Sequence, residues 1–541
     1  MKRNLLIVIL LLIFIQINYA QSWQFAKHIG SNYQFYGERV NSSFYNSGYI
    51  YLVGAYGGHL YFPNDTLICN GWNDIFIAKL NSSGNIVWSR TIGSTGMQPN
   101  LLEEGFGSLD TVNQCLYVSG KIHGTVDFGN GVSLVTSPSG GEDAFLAKYN
   151  LNGDCQWAKL VYSAGKDIAY CHVQPDGNVL LTGKLENIGY VDTIPIIAGG
   201  FIARFDSYGN VLWAQNKFMG PEKYPIHIGF IGSDIIMSGV YDTITAIIDT
   251  CQLQLTGTRN SFLTRLDSIG GVIWINSFEG GGANDIGNII IDDFSNIIVT
   301  GGFQDSIKLG SVTLFDNNVD MYIAKFSSNG NTIYTKQINC DGNYAAGTGL
   351  SLDINGNYYV TGFFSSNASF GTLNISTVNQ YDMFIAKYSV IGDCVWVVNF
   401  GQAVGQNVVI DNLNNAICAG GFVSTVNIGG TSMTALNNQD IFLAKLDEIS
   451  GISEQRTIEN KLHVYANPSN GSCTVNIPDV FTDEYVLQIT VMNSEGKIVL
   501  NEQIEVQNNH HELNLISQPK GLYNVYLTDG KLKYSGKIVF N

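Results

Sequence analysis

The residues best suited to chemistry in this 541-residue chain are eight histidines and nine cysteines, and their spacing argues against a reactive centre. His28, His59, His123, His172, His227, His463, His510 and His511 form no His-Glu-x-x-His pair, and no two cysteines stand as Cys-x-x-Cys. No metal or cofactor is predicted. Nine is odd, so at least one thiol is free or pairs with another molecule. Most cysteines are expected as small buried apolar residues. No Gly-x-Ser-x-Gly elbow, P-loop or dinucleotide fingerprint in its required context is present, so no catalytic residue is named. Acidic turns such as Asp353-Ile354-Asn355-Gly356-Asn357 resemble calcium loops but lack the terminal glutamate and lie between two strands. They are read as hairpin turns. Carboxylates from distant segments can still meet on one face, which keeps open a glycan-active hydrolase or lyase.

The elements that position these residues repeat. Asp-x-Phe-Ile-Ala-Lys and its variants recur with the alanine position at 78, 147, 203, 264, 324, 386 and 444, spaced by 69, 56, 61, 60, 62 and 58 residues. Ten residues after the first six stand Trp88, Trp157, Trp213, Trp274, Tyr334 and Trp396, with a glycine turn between, so each pair is a β-hairpin. Apolar strands ending at Gly54, Gly120, Gly183, Gly239, Gly301, Gly362 and Gly420 complete a repeat of about four strands in some 60 residues. The aromatic residues are expected to fill wedges between blades, and the lysine to lay its stem there and pair with a carboxylate.

The seventh copy has Glu454 where an aromatic strand is due, while a spare one, Ser22-Trp23-Gln24-Phe25-Ala26, opens the mature chain. A linear stack has no reason for that exchange, but a ring does. The predicted fold is all-β: a seven-bladed β-propeller over residues 21–451, closed by the N-terminal strand, then a linker at 452–461 and a small C-terminal β-sandwich at 462–541. The repeat resembles the bacterial SBBP family through Gly356-Asn357-Tyr358-Tyr359-Val360-Thr361-Gly362 and Asp382-Met383-Phe384-Ile385-Ala386-Lys387, departing at Gly199, Asn260, Thr264, Arg204 and Arg265. The resemblance implies architecture and an exported setting, and no particular activity.

The tail carries Tyr465-x-Asn467-Pro468-x-x-Gly471, Glu495-Gly496-Lys497, Gly521-Leu522-Tyr523 and Lys537-Ile538-Val539. It is similar to the type A C-terminal sorting domain of the type IX secretion system, with Ala466 where the family has proline. That resemblance makes Tyr465, Asn467, Pro468, Gly471, Gly496, Lys497, Gly521, Tyr523 and Lys537 the sorting-motif residues. It implies passage across the outer membrane of a member of the Bacteroidetes, with the secretion machinery as partner, and then release or surface attachment.

Met1 to Ala20 has the form of a secretory signal: Lys2 and Arg3, an apolar run from Leu5 to Ile15, and a small residue before Gln21. No later segment is apolar enough to span a bilayer. The net charge of −17 repels nucleic acid, so none is expected as a partner. The functional expectation is a secreted or outer-membrane surface-attached, non-catalytic binding or adhesion module for an unknown glycan or protein. Its binding loops are sought between Trp23 and Gly54 and between Trp88 and Gly120, including the insertion from Gln98 to Gly105.

Overall fold

The computed structural model describes residues 19–33, 38–94, 104–137, 141–219, 227–242, 245–450, 459–478, 481, 486–493, 497–506, 510–528 and 533–541. Most of the expected leader, the insertion around residue 98, most of the expected linker and Gly496 lie outside them. Two compact units result, one of them Tyr19–Ile449. Among the described residues no helix is long and apolar enough to cross a membrane.

Seven antiparallel four-stranded blades make up Tyr19–Ile449. Blade 1 runs outward through Arg39–Asn46, Tyr49–Tyr56, Asp74–Asn81 and Ile86–Ser94. Blade 7 consists of Ala403–Ile410, Ala416–Phe422 and Asp440–Ser450, with Tyr19–Ser31 hydrogen-bonded to its outer side as the fourth strand. The N-terminal strand therefore closes the ring.

Packing shows the same closure. A blade buried on both faces needs strands that are apolar at successive positions, and Tyr49–Tyr56 is buried at every position but its first. Alternate residues then serve opposite neighbours: Phe76, Ala78 and Leu80 join a core shared with blade 7, whereas Ile75 and Ile77 join one shared with blade 2. The seven blades are separated by seven such cores. An open row of seven blades has six interfaces. The seventh contains Ile29, Val40, Leu52, Ile417 and Leu443.

The repeat also holds a small hairpin that the four-strand reading missed. Between the second and third strands of blade 1, His59–Phe62 and Asp65–Ile68 turn outward and add to Tyr19–Ser31 of blade 7. Thr125–Gly129 and Val132–Val135 of blade 2 add likewise to Ile86–Ser94 of blade 1. These two hairpins cover outer edges that would otherwise present unpaired backbone groups.

The aromatic of one blade stacks on the turn glycine of the next. A Cβ on Gly153 would lie 3.0 Å from the Trp88 ring, and one on Gly209 3.0 Å from Trp157. Gly153 also has φ +84°, which disfavours any side chain. Gly153→Ala is expected to destabilise the chain by about 1–2 kcal/mol. Gly131→Ala, at φ +77° with open space around it, should show the smaller cost of the backbone alone. Denaturant midpoints of the two variants measure the difference, and equal shifts would deny the ring contact. In the closing strand the residue over the equivalent glycine, Gly84, is Phe25, whose ring would lie 2.8 Å from an added Cβ. Trp23 meets Phe400 instead, edge-on at 5.6 Å. The strand is the one expected; its stacking residue lies two positions later.

Ser450–Asn541 is a two-sheet sandwich. One sheet orders Glu459–Lys461, Lys533–Phe540, Gly521–Thr528, Val486–Asn493 and Ile498–Glu505; the other holds Val464–Tyr465, Ser472–Asn476 and His510–Asn514. Val475, Leu487, Ile489, Leu513, Val525 and Ile538 form its core. His510 and His511 thus lie in a strand, not in the turn that their polarity suggests, and His511 Nε2 meets Glu502 at 2.9 Å.

Candidate functional site

The first strands of all seven blades face one axial cavity of about 440 Å³. Asn41, Phe106, His172, His227, Asn288 and Gln406 are among the groups lining it, and no carboxylate, lysine or arginine lines it among the described residues. Several polar groups there stitch neighbouring blades together. Asn41 Nδ2 donates to Gly105 O at 3.0 Å, Thr348 Oγ1 to Gly405 O at 2.5 Å, and Asn407 Nδ2 to Val40 O at 3.0 Å. Burial pushes His172 down to about 3, with His227 adding to the fall, and burial pushes His227 down to about 4 despite its hydrogen bond with the Ile286 backbone. Both rings are neutral at ordinary pH, so the channel is uncharged.

The repeat's charged residues are committed elsewhere. Lys325 reaches Asp292 at 2.8 Å, Lys445 reaches Asp411 at 2.7 Å and Lys387 reaches Asp353 at 3.6 Å, as the lysine-to-carboxylate expectation requires. Arg204 and Arg265 keep the arrangement with Asp176 and Asp234. In blades 1 and 2 the ammonium lies over tyrosine instead, Lys79 over Tyr49 at 4.1 Å and Lys148 over Tyr117 at 5.6 Å. Asp353 also accepts from the backbone of Asn355 and Asn357 and from Asn357 Nδ2, each at 2.9 Å. A carboxylate so engaged serves a hairpin turn, and no cluster of three or more metal-ligating side chains occurs among the described residues.

Raised carboxylates exist, but they are sealed. Burial pushes Asp74, Asp143 and Asp167 each up to about 6 and Glu38 up to about 7, where the Asp440 charge adds a smaller push. The motif aspartate secures backbone at its blade's corner: Asp74 accepts from Asn70 N at 2.8 Å, and Asp440 from Leu436 N at 2.8 Å and Ser31 N at 3.3 Å. His28 Nε2 meets Asp440 at 2.5 Å. Glu38 and Asp440 are 1% and 0% exposed, so this acidic pair offers no surface to a substrate. Cys115, Cys155, Cys171, Cys251, Cys340, Cys394, Cys418 and Cys473 form no disulfide. Burial holds Cys155 up to about 11 and Cys171 and Cys418 up to about 12, which removes them as nucleophiles.

In the C-terminal unit, motif residues far apart in sequence converge. Asn467 Nδ2 donates to Lys537 O at 2.7 Å while its Oδ1 accepts from Val539 N at 2.8 Å. Tyr523 pairs with Ile538 on one side and Asn493 on the other, and Gly521 pairs with Phe540. Asn493 in turn bonds Lys497 through backbone and side chain. Gly471 O accepts from Leu515 N at 2.6 Å, and Tyr465 stands half exposed at 51%. Pro468 lies between Asn467 and Ser469, whose backbone N donates to Val539 O at 2.7 Å. The described motif residues thus gather around the end of the terminal strand.

Fold and tail together define a class, a β-propeller bearing an export domain. Residues 463–541 match the family described as Secretion system C-terminal sorting domain. The chain is accordingly secreted or attached to the cell surface. The repeat region is similar to an uncharacterized WD repeat-containing protein, L264, of Acanthamoeba polyphaga mimivirus, at 22% identity over 66% of this chain and 32% of that protein. The chain thus spans about a third of that relative's length. Among solved structures it is similar to a member of the duf4221 family from Bacteroides vulgatus, at 11% identity and TM-score 0.31 over 80% of this chain and 100% of the other. The phage phi92 endosialidase is similar at 9% identity and TM-score 0.34, over 93% of this chain and 85% of that one.

Proposed function

We propose that the propeller is a non-catalytic binding or adhesion module of the SBBP-repeat kind, displayed outside a Bacteroidetes cell, with a glycan or a protein as its ligand. In this reading residues 1–20 direct passage across the inner membrane and are removed. The type IX machinery then recognises the tail through the motif residues from Tyr465 to Lys537. The observation that carries the binding role is the axial cavity: seven strands converge on it, and no acidic side chain lines it among the described residues. A glycan hydrolase needs a pair of accessible carboxylates about 5–10 Å apart. The raised acids here are instead buried in corners of separate blades.

Export is tested by removing residues 463–541 and locating the propeller by protease accessibility on intact cells. The full chain is expected outside, in the medium or on the surface, and the truncated chain is expected to be trapped within the envelope. Asn467→Ala, which unties the end of the terminal strand, should lower outside material several-fold. A truncated chain exported as well as the full one would overturn the role of the tail.

A further inference from the structure

The channel is not symmetric. The inner strands of blades 1, 5, 6 and 7 each carry an extra residue, at Asn41, Gly287, Thr348 and Gln406. Such bulges re-aim side chains, and three of these residues use theirs to bond the adjacent blade. The described inner strands of blades 2, 3 and 4 pair without a bulge. Their sector carries different chemistry: Phe106 and Tyr170 with ring centroids 4.4 Å apart, then His172 and His227. Phe44 adjoins them from blade 1. A second cavity of about 250 Å³ lies in the same sector, lined by Ser108, Val173, Gln174 and Phe230 among others.

Two buried polar atoms that line these cavities from blades 2 to 4 have no hydrogen-bond partner among the described residues: His172 Nε2, beside the channel, and Gln174 Oε1, beside the second cavity; Ser43 Oγ, on the channel wall of blade 1, is bare as well. Buried polar groups are nearly always satisfied, so each calls for a partner that arrives from outside the fold. An anionic partner would lose its hydration with no counter-charge to meet it, because no charged side chain lines the channel among the described residues and the charged group lining the second cavity is the carboxylate of Asp110. A purely apolar partner would leave these atoms bare. A sugar ring has what is needed: an apolar C–H face for the aromatic groups and neutral hydroxyls for the imidazole and amide groups. The cavity falls within the roughly 300–1,000 Å³ usual for small-molecule sites.

Resting on the binding role proposed above, we infer that the wall formed by Phe106, Tyr170, His172 and His227 is a binding site for uncharged sugar units of a glycan. The full chain is to be applied to an array of immobilised neutral and anionic oligosaccharides. Neutral members should bind at least tenfold more tightly than anionic ones, and His172→Gln should weaken that binding at least fivefold. Because the variant can fold poorly, ring-¹⁵N spectra of the histidines in the unaltered chain give a second readout, in which a bound neutral oligosaccharide shifts the His172 signals.

Preference for anionic glycans, or neutral binding that leaves the His172 signals and the variant's affinity unchanged, overturns the site. Absence of any glycan binding overturns it too. If the same chain then captures a protein ligand, the binding role stands while this inference fails; if it binds neither, the binding role fails with it. His172 signals that respond only to removal of bulk water would show that buried solvent satisfies the ring, and would likewise overturn the site.

Discussion

Removing residues 19–31 is expected to abolish the cooperative thermal transition of the propeller or lower it by more than about 10 °C. Ile29 is fully buried in the core shared by blades 7 and 1, and Trp23 packs on the Phe400 side of blade 7. Each large apolar group uncovered costs about 1.5–3 kcal/mol. Asp440, 0% exposed, also loses His28 and the Ser31 amide and keeps Leu436 N, and removing one partner of a buried ion pair costs about 3–5 kcal/mol. These losses rival the roughly 5–15 kcal/mol by which a domain is stable. Two controls separate ring closure from simple damage. A peptide of residues 19–33 added in trans should restore the transition, and a permutant carrying that strand after residue 450 should melt within a few degrees of the parent. A deletion variant that melts like the parent would mean that the strand closes nothing.

The closing strand was legible because a missing element at one end and a spare at the other make sense only in a circle. Its stacking residue was not, because tryptophan identity was matched instead of the strand's end. Ile29-Gly30-Ser31 corresponds to Ile92-Gly93-Ser94, which sets Phe25 opposite Trp88. The covering hairpins escaped notice for a related reason. They share a pattern and no signature: Val126 and Phe128, Ala368 and Phe370, and Val426 and Ile428 point inward at alternate positions around turns of differing composition.

The channel was illegible for a deeper reason. Its groups come from seven strands whose types differ at matching places, such as Asn41, Phe106, His172 and Gln406. Only the closed geometry brings them together. The motif aspartate and lysine, by contrast, recur because every blade has the same corner to secure and the same stem to bury, so repetition there signals structure. In the tail, the presence of Asn467 has a physical meaning once its side chain is seen to bridge two backbone groups of the terminal strand.

The propeller should lose stability as pH rises from about 5 to 8, and Glu38→Gln should remove the part of that loss that Glu38 carries. Burial, opposed by hydrogen bonding and aided by Asp440, raises Glu38 from 4.5 to about 7. The folded state therefore holds this proton more tightly than the unfolded chain does. The stabilising contribution is complete below pH 4.5 and disappears as pH climbs through about 7. A tenfold difference in proton affinity between the two states is worth about 1.4 kcal/mol, so the loss reaches about 3 kcal/mol by pH 8. Asp74, Asp143 and Asp167, raised by burial from 3.8 to about 6, act in the same direction at slightly lower pH. Asp292 and Asp411 oppose them below pH 4. Burial alone would raise both, but hydrogen bonds from Lys325 and Lys445 and from Asn296 and Asn415 hold them below 3.8, so their contribution fades in acid. The balance places maximum stability near pH 4, below which the lowered acids lose their contribution and above which the raised ones do. Denaturant melts of parent and Glu38→Gln at pH 5 and pH 8 measure the effect: a small difference at pH 5 should widen in favour of the variant at pH 8. A constant gap at both pH values would show that Glu38 is already charged in the folded ring, and that its corner admits water.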